Sequence, residues 1–471
     1  MEAKYEARKQ ELLEECTVAP QIFERVLPRL ERFMEPFVAN LVRKEQCKHA
    51  STFVQGLLSN LEHKNTESIA YRFGQQRMGL QWFVGKSDWD HGPLRDELVR
   101  QVGEQLGEED GVIVFDPSGF PKSGRESVGV ARQWCGRLGK VDNCQVAICM
   151  GYVSSKEHAL VDTRLFLPKE WTKDKKRCQK AGVPKQVRFR TRHQLCLEML
   201  AQHGGTLPHA WIAGDDEMGR PYWFRRRLNA LDKQYLLAVP SNTQIRDLEI
   251  DPPAYSGHGR PPKRPWTRVD KWVGAVSKRI WTKVDVRDGS KGPLVVEVVK
   301  RCVVTRTDKR QEGHAEVLVI IRFRERDTKR VLQTDYYLSN ATAETHVAEF
   351  ARVAKAEHRI EECIQRAKSE AGLADHVEPV GERAERSPQL EGLAPSSNTL
   401  THCHVVFGDG SPAGKKNGHR RLRCRRSAKA SVPSCTVLTD AVFTPASCTN
   451  ESSGSFATNS PAFIIGNSVI A

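Results

Sequence analysis

The sequence predicts an α/β protein whose mixed β-sheet core is accompanied by a helical N-terminal domain and a mostly β insertion. Apolar residues recur at three- and four-residue steps through residues 1–105, the spacing of amphipathic helices. Strand-like and helical runs alternate through 106–240, and short β-like runs between polar turns fill 241–340. One long helical pattern, 341–375, completes the predicted core. Residues 376–471 are rich in Ser, Thr, Pro and Gly and predict a low-complexity, disordered or aberrant tail.

Composition narrows the class of partner. A chain of 471 residues has room for about two to four structural units. Its net charge of +15 indicates a polyanionic partner, although charge alone leaves DNA, RNA and an anionic membrane surface open. The sequence has no long apolar run and no signal-peptide pattern, so we expect a soluble intracellular protein with no membrane partner. The 13 cysteines form no CxxC pair, which predicts ordinary thiols rather than a zinc site.

The stretch Val112–Lys140 organises the rest of the prediction. Val112–Phe115 is a β-branched and aromatic run typical of a strand buried on both faces, and it ends at Asp116. We expect Pro117 to stop the strand and a basic, glycine-rich loop to follow. An Asp-Pro turn is often purely structural, and this alternative stays open. A nucleotide-binding loop is excluded, because Arg125 and Glu126 occupy the positions that require Lys and Ser or Thr.

A second acidic residue follows a later strand. A predicted hairpin over 145–167 and a helix over 191–202 lead to the strand 209–214, which ends at Asp215 beside Asp216. Two carboxylates at strand ends that can pair in one mixed sheet are the plan of an RNase H-like fold. Such carboxylates hold hard Mg²⁺ or Mn²⁺ ions for phosphoryl transfer.

Two other segments carry candidate DNA contacts, each with a structural alternative. Residues 71–90 include Arg72, Arg77, Lys86 and Trp89, which predict either a DNA-binding surface or a plain helical bundle. The insertion interleaves tryptophans with cations, a pattern suited to base stacking, although the sequence favours core packing for at least two of the three. These tryptophans are Trp266, Trp272 and Trp281.

The final predicted helix carries a third candidate carboxylate. Glu361 and Lys368 lie on one side of the helix, two turns apart. Glu361 completes the metal site in one interpretation. In the other, it belongs to an ordinary solvated face of a charged helix.

The sequence also resembles a known family. The stretch FDPSGFPKSGRESVGVARQWCGRLGKVDNCQVAICMGYVS looks like the first catalytic segment of a subgroup of bacterial insertion-sequence DDE transposases. The later segments LPKEW, KAGVPKQVRFRT, WIAGDDEMGR and LLAVPSN resemble that family in the same order, so the resemblance spans residues 30–375.

The resemblance implies roles for individual residues. Asp116, Asp215 and Glu361 match the catalytic triad, which holds two Mg²⁺ or Mn²⁺ ions, and Lys368 matches a lysine that contacts DNA phosphate. The family places a tyrosine and an arginine seven and four residues before the glutamate, where this chain has Ala354 and Glu357, so that Arg359 is the nearest cation. The expected DNA-binding cations are Lys122, Arg125, Arg132, Lys140, Arg359 and Lys368.

The resemblance further implies a transposase that cuts and joins DNA at insertion-sequence ends. Its expected partner is double-stranded DNA with terminal inverted repeats, bound by a homodimer in the bacterial cytoplasm, at the nucleoid. The segment after about residue 374 departs from the family pattern, which predicts a frameshifted or truncated end. Two alternatives therefore stay open: a catalytically inactive DNA-binding remnant, and an RNase H-like repair or RNA nuclease.

Overall fold

The computed structural model describes residues 25–372, except 86, 88, 290–291, 325–329 and 370. The first 24 residues and the predicted tail 376–471 lie outside the described residues. The helices are α1 Val26–Val38, α2 Lys44–Leu58, α3 Thr66–Arg72, α4 Arg77–Gly85, α5 Gly92–Leu106, α6 Lys169–Lys173, α7 Lys175–Lys180, α8 Arg192–His203, α9 Asp216–Gly219, α10 Tyr222–Ala230, α11 Val269–Ala275 and α12 Val347–Ser369.

The strands all belong to one mixed sheet. They are β1 Val112–Pro121, β2 Ala131–Cys135, β3 Lys140–Val153, β4 His158–Phe166, β5 Trp211–Gly214, β6 Gln234–Ala238, β7 Gln244–Asp247, β8 Thr267–Arg268, β9 Thr282–Gly289, β10 Gly292–Arg306, β11 Glu312–Arg324 and β12 Val331–Ser339. Single-turn 3₁₀ helices occupy Gly136–Leu138 and Lys278–Ile280.

The order of the central strands confirms the predicted fold class. The strands β4, β3 and β1 pair antiparallel to one another, and β5 and β6 continue the sheet parallel to β1. This β4-β3-β1-β5-β6 arrangement is an RNase H-like core. The predicted hairpin is formed by β3 and β4, and the predicted helix near residue 191 is α8, which begins with a capping box between Thr191 and Gln194.

The β-rich residues after β6 extend the same sheet. Strand β12 pairs antiparallel with β6, and β11, β10, β7 and β8 follow in order. Strand β9 pairs with the first half of β10, and β7 pairs with its second half. The sheet is therefore continuous from the core into the predicted insertion. The proposed domain boundaries stay predictions.

The prediction that β1 ends at Asp116 was wrong. The strand continues through Pro117, which lies opposite Ile148 of β3, and ends at Pro121. Strand β5 pairs only with Val112–Phe115, so the second half of β1 has β3 as its ladder partner. A proline that removes one donor is tolerated where one side of a strand is unpaired. The predicted loop after β1 likewise contains a short strand, β2.

The first half of β1 is buried on both faces, as predicted. Ile113 and Phe115 pack in a cluster with helices α2–α5 and α8. Val112 and Val114 face the opposite side, where they pack with Phe350, Ile360 and other apolar residues of α12. Asp116, two residues after Val114 on the strand, lies on the α12 face because side chains alternate along a strand. Within the described residues, no helix combines the length and apolar character needed to cross a bilayer.

Candidate active site

The pairing of β1 with β5 brings Asp116 and Asp215 together. The two strands run parallel, with Phe115 opposite Gly214, so the aspartate that follows each of these residues emerges at the same edge of the ladder. Burial, together with the nearby carboxylates of Asp215 and Glu361, raises the pKa of Asp116 well above its ordinary value. The Lys368 ammonium acts in the opposite direction. The first two sequence-predicted carboxylates therefore share one electrostatic environment.

Asp215 is held by its role as a helix cap. Its Oδ1 accepts a hydrogen bond from the Met218 N–H at 3.1 Å, which fixes the start of α9. A Cβ on Gly219, at the end of α9, would collide with the Ala238 carbonyl oxygen, so only glycine lets α9 lie this close to β6. Burial raises the pKa of Asp215 to about 7. Asp216 is instead exposed and pairs with Arg220 at 3.0 Å.

The third predicted carboxylate, Glu361, is less enclosed. Its side chain is 56% exposed, and one carboxylate oxygen lies 3.6 Å from His358 Nδ1 on the same helix. The pKa of Asp335 on β12 is also raised, by burial and by the nearby Glu361. A hydrogen bond from Gln333 has the opposite effect, which is smaller than that of burial. Glu361 is thus within electrostatic range of Asp116 and Asp335, on the face of the sheet that α12 covers.

A fourth carboxylate, Glu357, lies one helical turn before Glu361 and is less exposed. Its pKa is raised well above the ordinary value, mainly by burial. Four neighbouring carboxylates add to this effect, those of Asp215, Glu361, Asp116 and Asp335. Sequence reasoning named Glu357 only as a departure from the family pattern. The four-residue spacing to Glu361, which places both on one helix face, was the signal for its position.

The carboxylates do not form a finished ligand cage. In the part of the chain that the structure describes, no three His, Cys, Asp or Glu side chains lie close enough together to hold a metal ion. The donor set nevertheless fits hard cations, because its members offer carboxylate oxygens, the ligands that Mg²⁺ and Mn²⁺ prefer.

Lys368 ties the last turn of α12 to β1. Its Nζ donates hydrogen bonds to Ser118 Oγ at 2.6 Å and to the Gly119 carbonyl at 3.2 Å, and it lies 4.5 Å from the centre of the Phe120 ring. Ser118 is two residues after Asp116 on the same face of the strand. The helix that carries Glu361 is therefore bound directly to the strand that carries Asp116. The predicted contact of Lys368 with DNA phosphate stays a prediction.

The other predicted DNA-binding cations are spread over the surface. Arg125 is exposed, and Lys122 is half-buried on the loop after β1. Arg132 donates to the Val141 carbonyl at 3.3 Å, and Lys140 pairs with Asp142 at 2.9 Å. Arg359 points to the other end of β3, where it donates to the Ser154 carbonyl at 3.4 Å.

The three tryptophans predicted for base stacking are half-buried, and a guanidinium lies over each ring. Trp266 has Arg246 and Arg306 at 4.5 and 4.7 Å from its centre. Trp281 lies under Arg322 at 3.6 Å, and Trp272 donates from Nε1 to Asp247 at 2.9 Å; both pack against a buried apolar cluster. Base stacking by these rings stays a prediction, and it requires an arginine to move.

The N-terminal candidates are also engaged within the protein. Trp89 stacks on Phe83 with ring centres 5.3 Å apart and donates to the Phe83 carbonyl. Arg77 pairs with Glu67 at 2.9 Å. The exposed large apolar side chains among the described residues of this region are instead Tyr71, Phe73, Met78 and Trp82. Lys86 lies outside the described residues.

Comparison with known proteins places these features in a family. The family model described as "DDE superfamily endonuclease" matches residues 36–293, more than half of the chain, and the match includes Asp116 and Asp215 but ends before α12. A probable transposase for insertion sequence element IS701 from Microchaete diplosiphon is 33% identical over 94 residues. That alignment covers 20% of this chain and 25% of the relative, so it spans only a quarter of the relative's length. The chain therefore belongs to the DDE superfamily endonucleases.

Proposed function

We propose that this protein is a transposase that cuts and joins DNA at the ends of an insertion sequence by phosphoryl transfer. The observation that carries the proposal is the parallel pairing of β1 with β5, which puts Asp116 and Asp215 side by side in a DDE-family core. Glu361 supplies the third carboxylate from α12. The similar IS701 protein is named as a probable transposase, which supports the same reaction class.

Endonucleases of this superfamily generally use divalent metal ions. In our proposal, Asp116, Asp215 and Glu361 would hold two Mg²⁺ or Mn²⁺ ions. Such ions lower the pKa of the attacking hydroxyl and neutralise charge on the phosphoryl group. The protein's own contribution is orientation: the α9 cap fixes Asp215, and Lys368 fixes α12 against β1.

The proposed partner is double-stranded DNA with terminal inverted repeats, bound by a homodimer. The net charge of +15 favours such a polyanion, and exposed arginines lie on the loop after β1 (Arg125) and on β2 (Arg132). The remaining cations of the proposed DNA surface are Lys122, Lys140 and Arg359. Lys368 is proposed to act by holding α12 against β1.

A labelled duplex that carries the element's terminal repeat, incubated with Mg²⁺ or Mn²⁺, tests this function. We expect cleavage at the repeat boundary, and little cleavage of a duplex of the same composition with a scrambled repeat. Equal cutting of both duplexes, or preference for an RNA strand, would instead indicate an RNase H-like repair or RNA nuclease.

One observation favours a second candidate, a DNA-binding protein without catalytic activity. Glu361 is more than half exposed, and Glu357 stands where the resembled family has arginine. In that case the duplex binds in a salt-dependent manner and stays intact with either metal.

A further inference from the structure

The hairpin formed by β2 and β3 has one apolar face that is open to solvent. Trp134 of β2 lies opposite Val141 of β3, and directly opposed residues project from the same face of a sheet. Trp134 is 58% exposed and Val141 50% exposed, and Leu138 in the connecting turn is 42% exposed. Large apolar side chains that are clustered and exposed in this way mark interaction sites.

The other face of the hairpin already has a packing role. Cys135 and Cys144 project from it, and both are fully buried in the core that contains Ile148 and Phe166. The hairpin is therefore anchored to the core through this second face, and its packing does not require Trp134.

The open face continues the face that carries Asp116. Asp116 lies opposite Cys149 of β3, and Val141 is an even number of residues from Cys149, so both positions project from the same side. Helix α12 covers this side as far as Phe120, over which Lys368 lies. Eight residues of strand correspond to about 27 Å. In B-DNA, where successive phosphates of a strand rise by about 3.4 Å, this is roughly eight base pairs.

Basic groups surround this face. Arg132, on the same side as Trp134, is exposed and bends toward the Val141 carbonyl. Asn143, also on this side, donates to the carbonyls of Lys122 and Gly124 at 2.6 and 2.7 Å, which holds the loop with Arg125 against the hairpin.

The acidic side chains near this face are paired with lysines and so do not cancel the charge of Arg132 and Arg125. Glu126 pairs with Lys180 at 3.1 Å, and Asp142 pairs with Lys140 at 2.9 Å. The surface is therefore apolar at its centre and cationic at its rim, which complements exposed sugar and base surfaces flanked by phosphates.

We propose that this open face, formed by Arg132, Trp134, Leu138 and Val141, docks on duplex DNA about eight base pairs from the cleaved phosphodiester. Trp134 packs on a base or sugar, while Arg132 and the Arg125 loop contact the backbone. This inference rests on the proposed function, since it takes Asp116 as the point of cleavage.

Binding measured in an Asp116→Asn background separates docking from cleavage. The probe is a fluorescent duplex with the terminal repeat and at least about twelve base pairs on each side of the cut, long enough to span the expected site. We expect Trp134→Ala to weaken binding about 5- to 100-fold, the range for loss of one stacking aromatic side chain, and Trp134→Phe to stay within about threefold of the parent. Val141→Ser should weaken binding in the same direction. Leu231→Ser is the matched control for Val141→Ser, because Leu231 is 41% exposed in the turn after α10, and it should bind like the parent.

A second readout locates the contact. With 2-aminopurine placed singly along the duplex, the parent should change the fluorescence most at about eight base pairs from the cut, and Trp134→Ala should abolish that change. If the parent binds the duplex and both Trp134→Ala and Val141→Ser bind it with the same affinity, the docking inference is wrong, but the proposed function is not affected. A parent that binds no duplex would overturn the proposed function with it. If Trp134→Ala converts a dimer to a monomer without changing DNA affinity per protomer, the face contacts a second copy and the inference is wrong.

Discussion

Asp215 combines two tasks that have opposite electrostatic requirements. As the cap of α9 it accepts a backbone N–H, which favours the ionised carboxylate, whereas its burial disfavours that charge. Burial has the larger effect, so its pKa is about 7. Without a bound cation, the folded protein therefore carries an unfavourable charge at this residue above neutral pH.

Asp215→Asn should consequently stabilise the metal-free protein at high pH. The folded-state pKa is raised, so the wild type loses stability as pH rises from about 4, the unfolded pKa, through about 7. Asparagine is uncharged and caps a helix comparably. Denaturant unfolding in EDTA should show similar stabilities near pH 4 and a variant more stable by up to about 4 kcal/mol at pH 8.

Asp216→Asn is the neighbouring control for this measurement. Asp216 is exposed and ion-paired, so its replacement should change stability by less than about 1 kcal/mol. An Asp215→Asn variant whose stability parallels the wild type at every pH would show that burial does not perturb this carboxyl.

At the scale of elements, the strands and helices near the site were largely predictable from sequence. The strand segment Val112–Phe115 and the hairpin after it show local patterns of apolar residues, and such patterns can be recognised from a short stretch of sequence. The continuation of β1 through Pro117 was not predictable from sequence. It depends on β3, which stays paired with β1 beyond Phe115, where the pairing of β1 with β5 ends. The attachment of Lys368 to Ser118 is likewise a contact between distant segments.

This attachment predicts how Lys368→Met behaves. Since Nζ bonds to Ser118 and Gly119, its loss should let α12 shift from β1, and a displacement of about 1 Å can slow catalysis about 100-fold. We expect single-turnover cleavage to slow by at least about tenfold while the salt dependence of DNA binding is unchanged. Ser118→Ala should have a smaller effect in the same direction.

Arg125→Met should show the opposite behaviour to Lys368→Met, with an effect on DNA binding instead of on the cleavage rate. Arg125 is exposed beside the proposed DNA face, so its loss should reduce the salt slope of binding by about one. If Lys368→Met also lowers the slope by one and leaves the cleavage rate intact, Lys368 acts as a phosphate contact and not through α12.

At the scale of the whole molecule, a buried polar network joins the core to the strands that extend its sheet. Arg225 of α10 donates to Glu316 of β11 at 2.7 Å and to Thr305 of β10 at 2.8 Å, and Tyr235 of β6 donates to the same glutamate. Arg225 also donates to the carbonyl of Gly219 at the end of α9. Sequence patterns did not indicate this network, because its members come from five separate elements.

Removing one member of this network should be strongly destabilising. Arg225→Met leaves Glu316 buried without its cation, so we expect a loss of about 3–5 kcal/mol in urea unfolding. Arg225→Met combined with Glu316→Leu should lose less than the sum of the single changes. Arg226→Met, at the next, exposed position of α10, should be near neutral; equal effects at Arg225 and Arg226 would contradict a structural role for the network.

We have proposed that Asp116, Asp215 and Glu361 form the site that cleaves DNA at a repeat end. The most direct test compares Asp215→Asn with Asp216→Asn in metal-dependent cleavage of the terminal-repeat duplex, because the two aspartates are adjacent but only Asp215 lies beside Asp116. We predict that Asp215→Asn abolishes cleavage while still binding the duplex, and that Asp216→Asn cleaves within about threefold of wild type. Wild-type cleavage by Asp215→Asn would show that Asp215 is not catalytic. An intact duplex with the wild-type protein and either metal would show that the protein is not an active transposase.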